Sequence, residues 1–308
     1  MKRDWRIELY RCLCMAAVVL LHSLTQGGYA DAHRGLDNLM TPSVVGFIFI
    51  SGYFGITCKV KSVLKLLGVG LGVYITLAFV GGDFGNSFGI SGYWWFLWMY
   101  LALMSLAPIA NTLFSVNSLG GGVIYKLWPF LFVIYIWSYM ATKIPVVKMF
   151  VPSVVGFSPF GVLTFFSVYL VAKASRLFEH RLRTAWLLLS AVVSGAFCWI
   201  GFYHYNSLFA LIFAGSMFYL VKRLPWPCND RFVARVVMMF SPSMFSVYLL
   251  HTNVLGFEML RKMEDYLVSL GWDYYCMAFS VAIAVFSSCL VLDVPRRLVV
   301  GLFRKYKF

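Results

Sequence analysis

Glu8, Arg11 and His22 are the residues whose types and spacing promise chemistry. Between Arg11 and His22 every residue from Cys12 to Leu21 is apolar. If that run is a helix, Glu8 and Arg11 stand at its mouth as an i, i+3 pair on one face. His22 then lies about 16 Å further along the axis, near half the thickness of a bilayer core. A titratable group inside an apolar helix is costly, so it faces a bundle interior or a wet cavity and marks a functional path. Imidazole titrates near neutrality and is a candidate general base: a substrate hydroxyl can lose its proton to His22 while attacking an acyl carbonyl. The alternative is a packing histidine bonded to a neighbouring backbone carbonyl. His251 offers the same two readings. His33, His180 and His204 fall in loops.

These residues need elements to hold them, and composition says what kind. The chain has 308 residues, 61% hydrophobic and 12% charged, with a mean hydropathy of +0.80. Soluble domains carry about twice that charge. The reading is an all-α, polytopic membrane bundle rather than a soluble protein with one anchor, and residues 1–308 read as a single integral-membrane domain. A net charge of +14 would point to nucleic acid in a soluble protein. In a membrane protein it collects in cytoplasmic loops, so no nucleic-acid partner is expected. The seven cysteines sit in or beside apolar runs and read as small hydrophobes. Cys12 and Cys14 are too closely spaced for a zinc site, and no metal is expected.

About ten spans are expected, near 12–27, 42–57, 63–81, 94–114, 121–142, 157–172, 185–202, 205–221, 235–256 and 274–294. The basic N-terminus followed by an apolar run could open a signal peptide. No small-residue cleavage pattern follows, so an uncleaved first span is expected. With the first residues inside, 21 of the 26 Lys and Arg fall on inner segments and 5 on outer ones. Both termini are therefore expected in the cytoplasm. On that topology Glu8 and Arg11 lie at the inner mouth, while His22 and His251 share a depth in the outer half. Lys59, Lys61 and Lys65 follow the second span on the inner side; they read either as ordinary inside charge or, with Arg11, as an anion site. Gly68, Gly70 and Gly72 read as a close-packing face. Tyr93, Trp94 and Trp95 read as an aromatic belt or as rings for sugar stacking.

Four motifs in order are similar to those of the membrane-bound acyltransferase 3 family. Glu8, Arg11 and His22 resemble its opening pattern. Ser51-Gly52-Tyr53-Phe54 with Lys59 and Lys61 resembles its Ser-Gly-aromatic motif and the basic residues after it. Trp95-Phe96-Leu97-Trp98-Met99-Tyr100, with Pro108 and Asn111, is similar to its fourth-span pattern. Ser246-Val247-Tyr248-Leu249-Leu250-His251 resembles its Tyr-Leu-x-His motif. The family's Arg-rich run ending in proline is replaced here by Lys59-Val60-Lys61-Ser62-Val63-Leu64-Lys65.

The resemblance implies an O-acyltransferase of the bacterial inner membrane, most simply an O-acetyltransferase. Acetyl-CoA or another acyl-CoA would be a co-substrate, with no tightly bound cofactor, and the acceptor would be a polysaccharide or lipid-linked sugar at the outer face. His22, Arg11 and Glu8 are the expected catalytic set. Arg11, Lys59, Lys61 and Lys65 are expected at the CoA phosphates, and Ser51, Tyr53, Trp95 and His251 in the cavity. The rival class is a proton-coupled transporter of a small molecule, with His22 and His251 as relay groups.

Overall fold

The computed structural model describes residues 4–26, 34–81, 94–113, 161–223 and 230–305. Among them the chain is helical with no strand. Among the described residues five stretches are long and apolar enough to cross a membrane: Trp5–Thr25, Val60–Ala78, Trp95–Thr112, Arg231–His251 and Tyr274–Val299. The chain is a polytopic helical membrane protein. The expected span at 121–142 lies outside the described residues.

The first span is α1 (Trp5–Gln26), about 33 Å long and enough for a hydrocarbon core. It is the hub of the bundle. It packs against α3 (Pro42–Phe54), α8 (Leu208–Arg223), α9 (Asp230–Phe240), α10 (Met244–His251), α11 (Val254–Ser269) and α12 (Tyr274–Leu292). Between α1 and α3 lies the short α2 (Arg34–Met40); α4 (Val60–Gly81), α5 (Trp95–Leu113), α6 (Val162–Leu177) and α7 (Thr184–Trp199) complete the order up to α8. The last helix, α13 (Val294–Lys305), follows α12 almost without a break.

α3 is short because proline starts it and glycine stops it. Pro42 has no amide to leave unpaired in the first turn. Gly55 turns to a φ of 82°, where its amide donates to the Ser51 carbonyl; a side chain there would meet the carbonyl side of its own backbone. Asn111 of α5 closes the exit, its Nδ2 donating to the Ile56 carbonyl at 2.7 Å. The Tyr169 hydroxyl donates to Asn111 Oδ1 at 2.9 Å and accepts from the Ile56 amide at 2.8 Å. The last residue of the fourth-span motif, Asn111, thus holds the end of α3. Gly52 lets α3 cross α6 closely, since a Cβ there would come within 2.4 Å of the Tyr169 carbonyl oxygen.

Two expectations are corrected. The close-packing glycines are not those of α4. Among the described residues a Cβ on Gly68 would meet nothing within 4 Å, one on Gly70 only Leu97 at 3.9 Å, and one on Gly72 the stem of Arg296 at an ordinary contact distance of 3.4 Å. The exposed flank of α4, including Leu64 and Leu71, suits lipid instead. The ninth span is also not one helix. Pro242 has no amide to continue the ladder, so a 3-10 turn at Ser241–Ser243 separates α9 from α10. α10 stops at His251, and Asn253 caps α11 by accepting the Gly256 amide at 2.8 Å.

Candidate active site

The break at Pro242 and the first turns of α4 and α13 leave a cavity of about 900 Å³ beside α1. Arg11, Lys65, Arg296 and Arg297 line its cationic end. His22, Trp95, Tyr205 and Tyr248 line the other end, with Ser51, Tyr100 and Ser241 between them. Among the described residues no carboxylate lines it.

His22 and His251 meet at the end opposite the cations. His22 Nδ1 lies 2.9 Å from His251 Nε2, and the rings are 5.0 Å apart. His251 is fully buried, and its Nδ1 lies 2.7 Å from the Val247 carbonyl oxygen. A carbonyl only accepts, so His251 Nδ1 carries a proton. In the neutral pair His251 Nε2 is then the acceptor, and His22 Nδ1 donates to it. That leaves Nε2 of His22 as the dyad's lone pair, on the ring that lines the cavity. The Val247 carbonyl thus sets the tautomer of His22 two bonds away, as a buried carboxylate does in hydrolytic triads. Phe257 of α11 packs edge-on against the His22 ring at 5.4 Å and restrains it.

Glu8 and Arg11 form the expected pair, Arg11 Nη1 to Glu8 Oε2 at 2.5 Å. The same oxygen accepts from the Ser241 hydroxyl, so the 3-10 turn of the broken span orients Glu8. Glu8 is 5% exposed and does not line the cavity; Arg11 does. Glu8 is therefore a positioning group behind Arg11.

Ser51 and Trp95 line the cavity. Ser51 donates to the Phe47 carbonyl at 3.0 Å and sits 3.2 Å from the Tyr100 hydroxyl. Trp95 clusters with Phe165 and Tyr205, with ring centroids 5.9 and 5.8 Å away and those two rings 6.2 Å from each other, so three aromatic rings brace one another at this wall. His251 does not line the cavity itself but stands behind His22.

Tyr53, Lys59 and Lys61 are not brought to the cavity. The Tyr53 hydroxyl donates to Glu179 Oε2 at 2.7 Å and accepts from Lys222 Nζ at 2.6 Å, while Lys222 also pairs with Glu179. Arg176 lies over the Tyr53 ring at 5.2 Å. Burial pushes the Glu179 carboxyl up, but hydrogen bonds from Lys222 and Tyr53 outweigh it and hold it below the usual carboxylate value. This knot ties α3, α6 and α8 together away from the cavity. Lys59 and Lys61 are exposed, one before α4 and one in its first turn. Of the three lysines only Lys65 reaches the lining, one helical turn further on.

Arg296 and Arg297 were counted among inside charges by the sequence reading, which missed them as lining. Their signal was present: Asp293 and Arg296 repeat the acid-x-x-Arg spacing of Glu8 and Arg11. Tyr100 and Tyr248 fell within quoted motifs without being picked as lining groups.

The model of a family described as an acyltransferase domain, the acyltransferase 3 model, matches residues 4–293. No curated protein and no solved structure matches the chain.

Proposed function

This chain belongs to the acyltransferase 3 family, whose model spans all but its ends, and on that footing we propose that it is an acyl-CoA-dependent O-acyltransferase acting on a sugar hydroxyl. It is a membrane acyltransferase by family; donor, acceptor and direction are the proposal. The protein sits in a bacterial cytoplasmic membrane with both termini inside. The donor reaches the cavity from its cationic inner end, and a polysaccharide or lipid-linked sugar hydroxyl meets it from the outer side. An acetyl group is the simplest cargo.

The observation that carries the reading is the dyad. A lone pair fixed on His22 Nε2 by His251 and the Val247 carbonyl faces the same cavity as four cationic side chains at the other end. Such a base removes the acceptor's hydroxyl proton as the oxygen attacks the thioester carbonyl. The C–O bond forms, the tetrahedral intermediate collapses and the C–S bond breaks. The proton held on His22 passes to the departing thiolate, so the ring ends neutral and ready for another turnover. As His22 becomes positively charged, His251 Nε2 accepts its Nδ1 hydrogen more strongly, stabilising the charge without changing its own protonation. The separation of about 16 Å between Arg11 and His22 along α1 suits a donor with a long arm between its anionic head and its acyl carbon.

The test is transfer by the purified chain in nanodiscs, given radiolabelled acetyl-CoA and a crude extract of polysaccharide and lipid-linked sugar. Label should enter the glycan with wild type and not with a folded His22→Ala. Transfer by His22→Ala at the wild-type rate would sink the base assignment. No transfer by wild type across several acyl-CoAs and acceptors would sink the enzyme reading.

A further inference from the structure

The inner end of the cavity has its cations in unequal states. Arg11 is neutralised by Glu8. Arg296 is held by Asp293, with Nε to Oδ1 at 2.5 Å and Nη2 to Oδ2 at 2.7 Å, and Asp293 is 2% exposed. This is a side-on pair. It consumes the Nε hydrogen and one Nη2 hydrogen, leaving both Nη1 hydrogens and the outer Nη2 hydrogen as a second fork. The Arg296 stem lies against α4 at Gly72, its Cγ and Cδ 3.4 Å from where a Cβ would stand, an ordinary contact distance. A guanidinium clamped on one edge and packed along its stem loses little entropy when its free edge binds an anion. Arg297 follows on the same turn of α13, is half-buried, lines the cavity, and makes no side-chain ion pair among the described residues. Leaving a guanidinium in a cavity without an acid is costly unless an anion occupies the place.

We propose that Arg296 and Arg297, at the start of the C-terminal helix, form the anchor for the phosphate groups of the donor nucleotide, with Arg296 presenting its free fork and Arg297 supplying the uncompensated charge. The identity of the donor rests on the reading above. The anchor itself is a site for a phosphate ester dianion at the inner mouth. It takes the place that Lys59 and Lys61 would have filled, since those lysines point elsewhere. Lys65 stands opposite on α4, so the phosphates lie between α4 and α13. A lipid headgroup shares this chemistry and could reach the same cations.

The experiment is equilibrium binding by the full chain in phosphatidylcholine nanodiscs, comparing CoA with pantetheine, which has the arm but no phosphate. Wild type should prefer CoA. Arg297→Gln should weaken CoA binding about tenfold, the worth of a charge-assisted contact, and leave pantetheine binding unchanged; R296Q/R297Q should weaken it further. Arg297→Gln is the primary variant because its side chain holds no structural carboxylate. Unchanged CoA affinity in both variants overturns the anchor, as does an equal loss for pantetheine, which reports a general distortion, or a wild type that binds CoA no better than pantetheine. Phosphatidylglycerol that co-purifies with wild type and is lost in Arg297→Gln, with CoA binding untouched, makes a lipid headgroup the occupant and also overturns it. A wild type that binds CoA through these arginines but transfers no acyl group leaves the anchor standing and removes the transferase reading instead.

Discussion

Replacing His251 by leucine tests whether the dyad sets the tautomer of His22. The substitution removes the acceptor 2.9 Å from His22 Nδ1 and keeps a side chain large enough to occupy a fully buried site. His22 keeps its place on α1 and its edge contact with Phe257, but nothing then holds the proton on Nδ1. In the wrong tautomer Nε2 carries the hydrogen and has no lone pair for the acceptor hydroxyl. General-base catalysis is worth about 10²–10⁴, and a triad histidine in the wrong tautomer loses about 10⁴. A partial population of the right tautomer survives, so kcat should fall about 10²–10³-fold, or about 3–4 kcal/mol of barrier. CoA affinity should hold, because the cationic end is about 16 Å away along α1. His251→Gln is the control that a packing role would not distinguish, since its side-chain oxygen can stand where Nε2 stood and accept from Nδ1. It should recover activity to within about tenfold of wild type. The assay is initial rate of labelled acetyl transfer against donor concentration, with both variants checked for folding by size exclusion and thermal unfolding. The reasoning is refuted if a folded His251→Leu keeps more than about a third of the wild-type kcat, or if His251→Gln is no better than His251→Leu.

Tyr53→Phe removes the hydroxyl shared by Glu179 and Lys222 and should lower stability by about 1–2 kcal/mol. Because the ring lies outside the cavity, kcat and KM should stay within about twofold; a tenfold loss in a folded variant would return Tyr53 to the substrate site. Glu264 on α11 is fully buried, and among the described residues neither carboxylate oxygen has a hydrogen-bond partner. Burial first, and then the neighbouring Asp265, push its pKa from 4.5 up to about 7. The folded state therefore holds this proton more tightly than the unfolded chain, so stability is fullest below the unfolded value and is lost as pH rises towards 7. The melting temperature in nanodiscs should fall between pH 5 and pH 8 in wild type. Glu264→Gln should flatten that fall and melt higher than wild type at pH 8; parallel curves for the two proteins would contradict the assignment.

The residues of α1 were legible because a membrane helix writes its function in one dimension. An apolar run makes any polar side chain conspicuous, and the rise of a helix converts the spacing of Arg11 and His22 directly into depth. The charge alternation and four spaced motifs likewise needed no coordinates to point to the family. Pairing across the bundle was a different matter. His22 and His251 share a depth by residue counting, but their contact, and the tautomer that follows from Val247, depend on how α10 packs against α1 after Pro242 breaks the ninth span.

Sequence alone determined the class of protein and the placing of Glu8, Arg11 and His22 along the first helix, because those follow from hydrophobicity and local spacing, but not the short helices α2, α11 and α13. Only the tertiary structure decided which cations face the cavity. Tyr53 and Lys61 lie near Ser51 and Lys65 in the chain, yet helical rotation turns Tyr53 to Glu179 and Lys222 and leaves Lys61 outside. Arg296 and Arg297, nearly three hundred residues from Arg11, arrive beside it because α12 packs on α1 and delivers α13 to the cationic end of the cavity. A side chain's depth is set by its own helix, but what it faces is set by its neighbours.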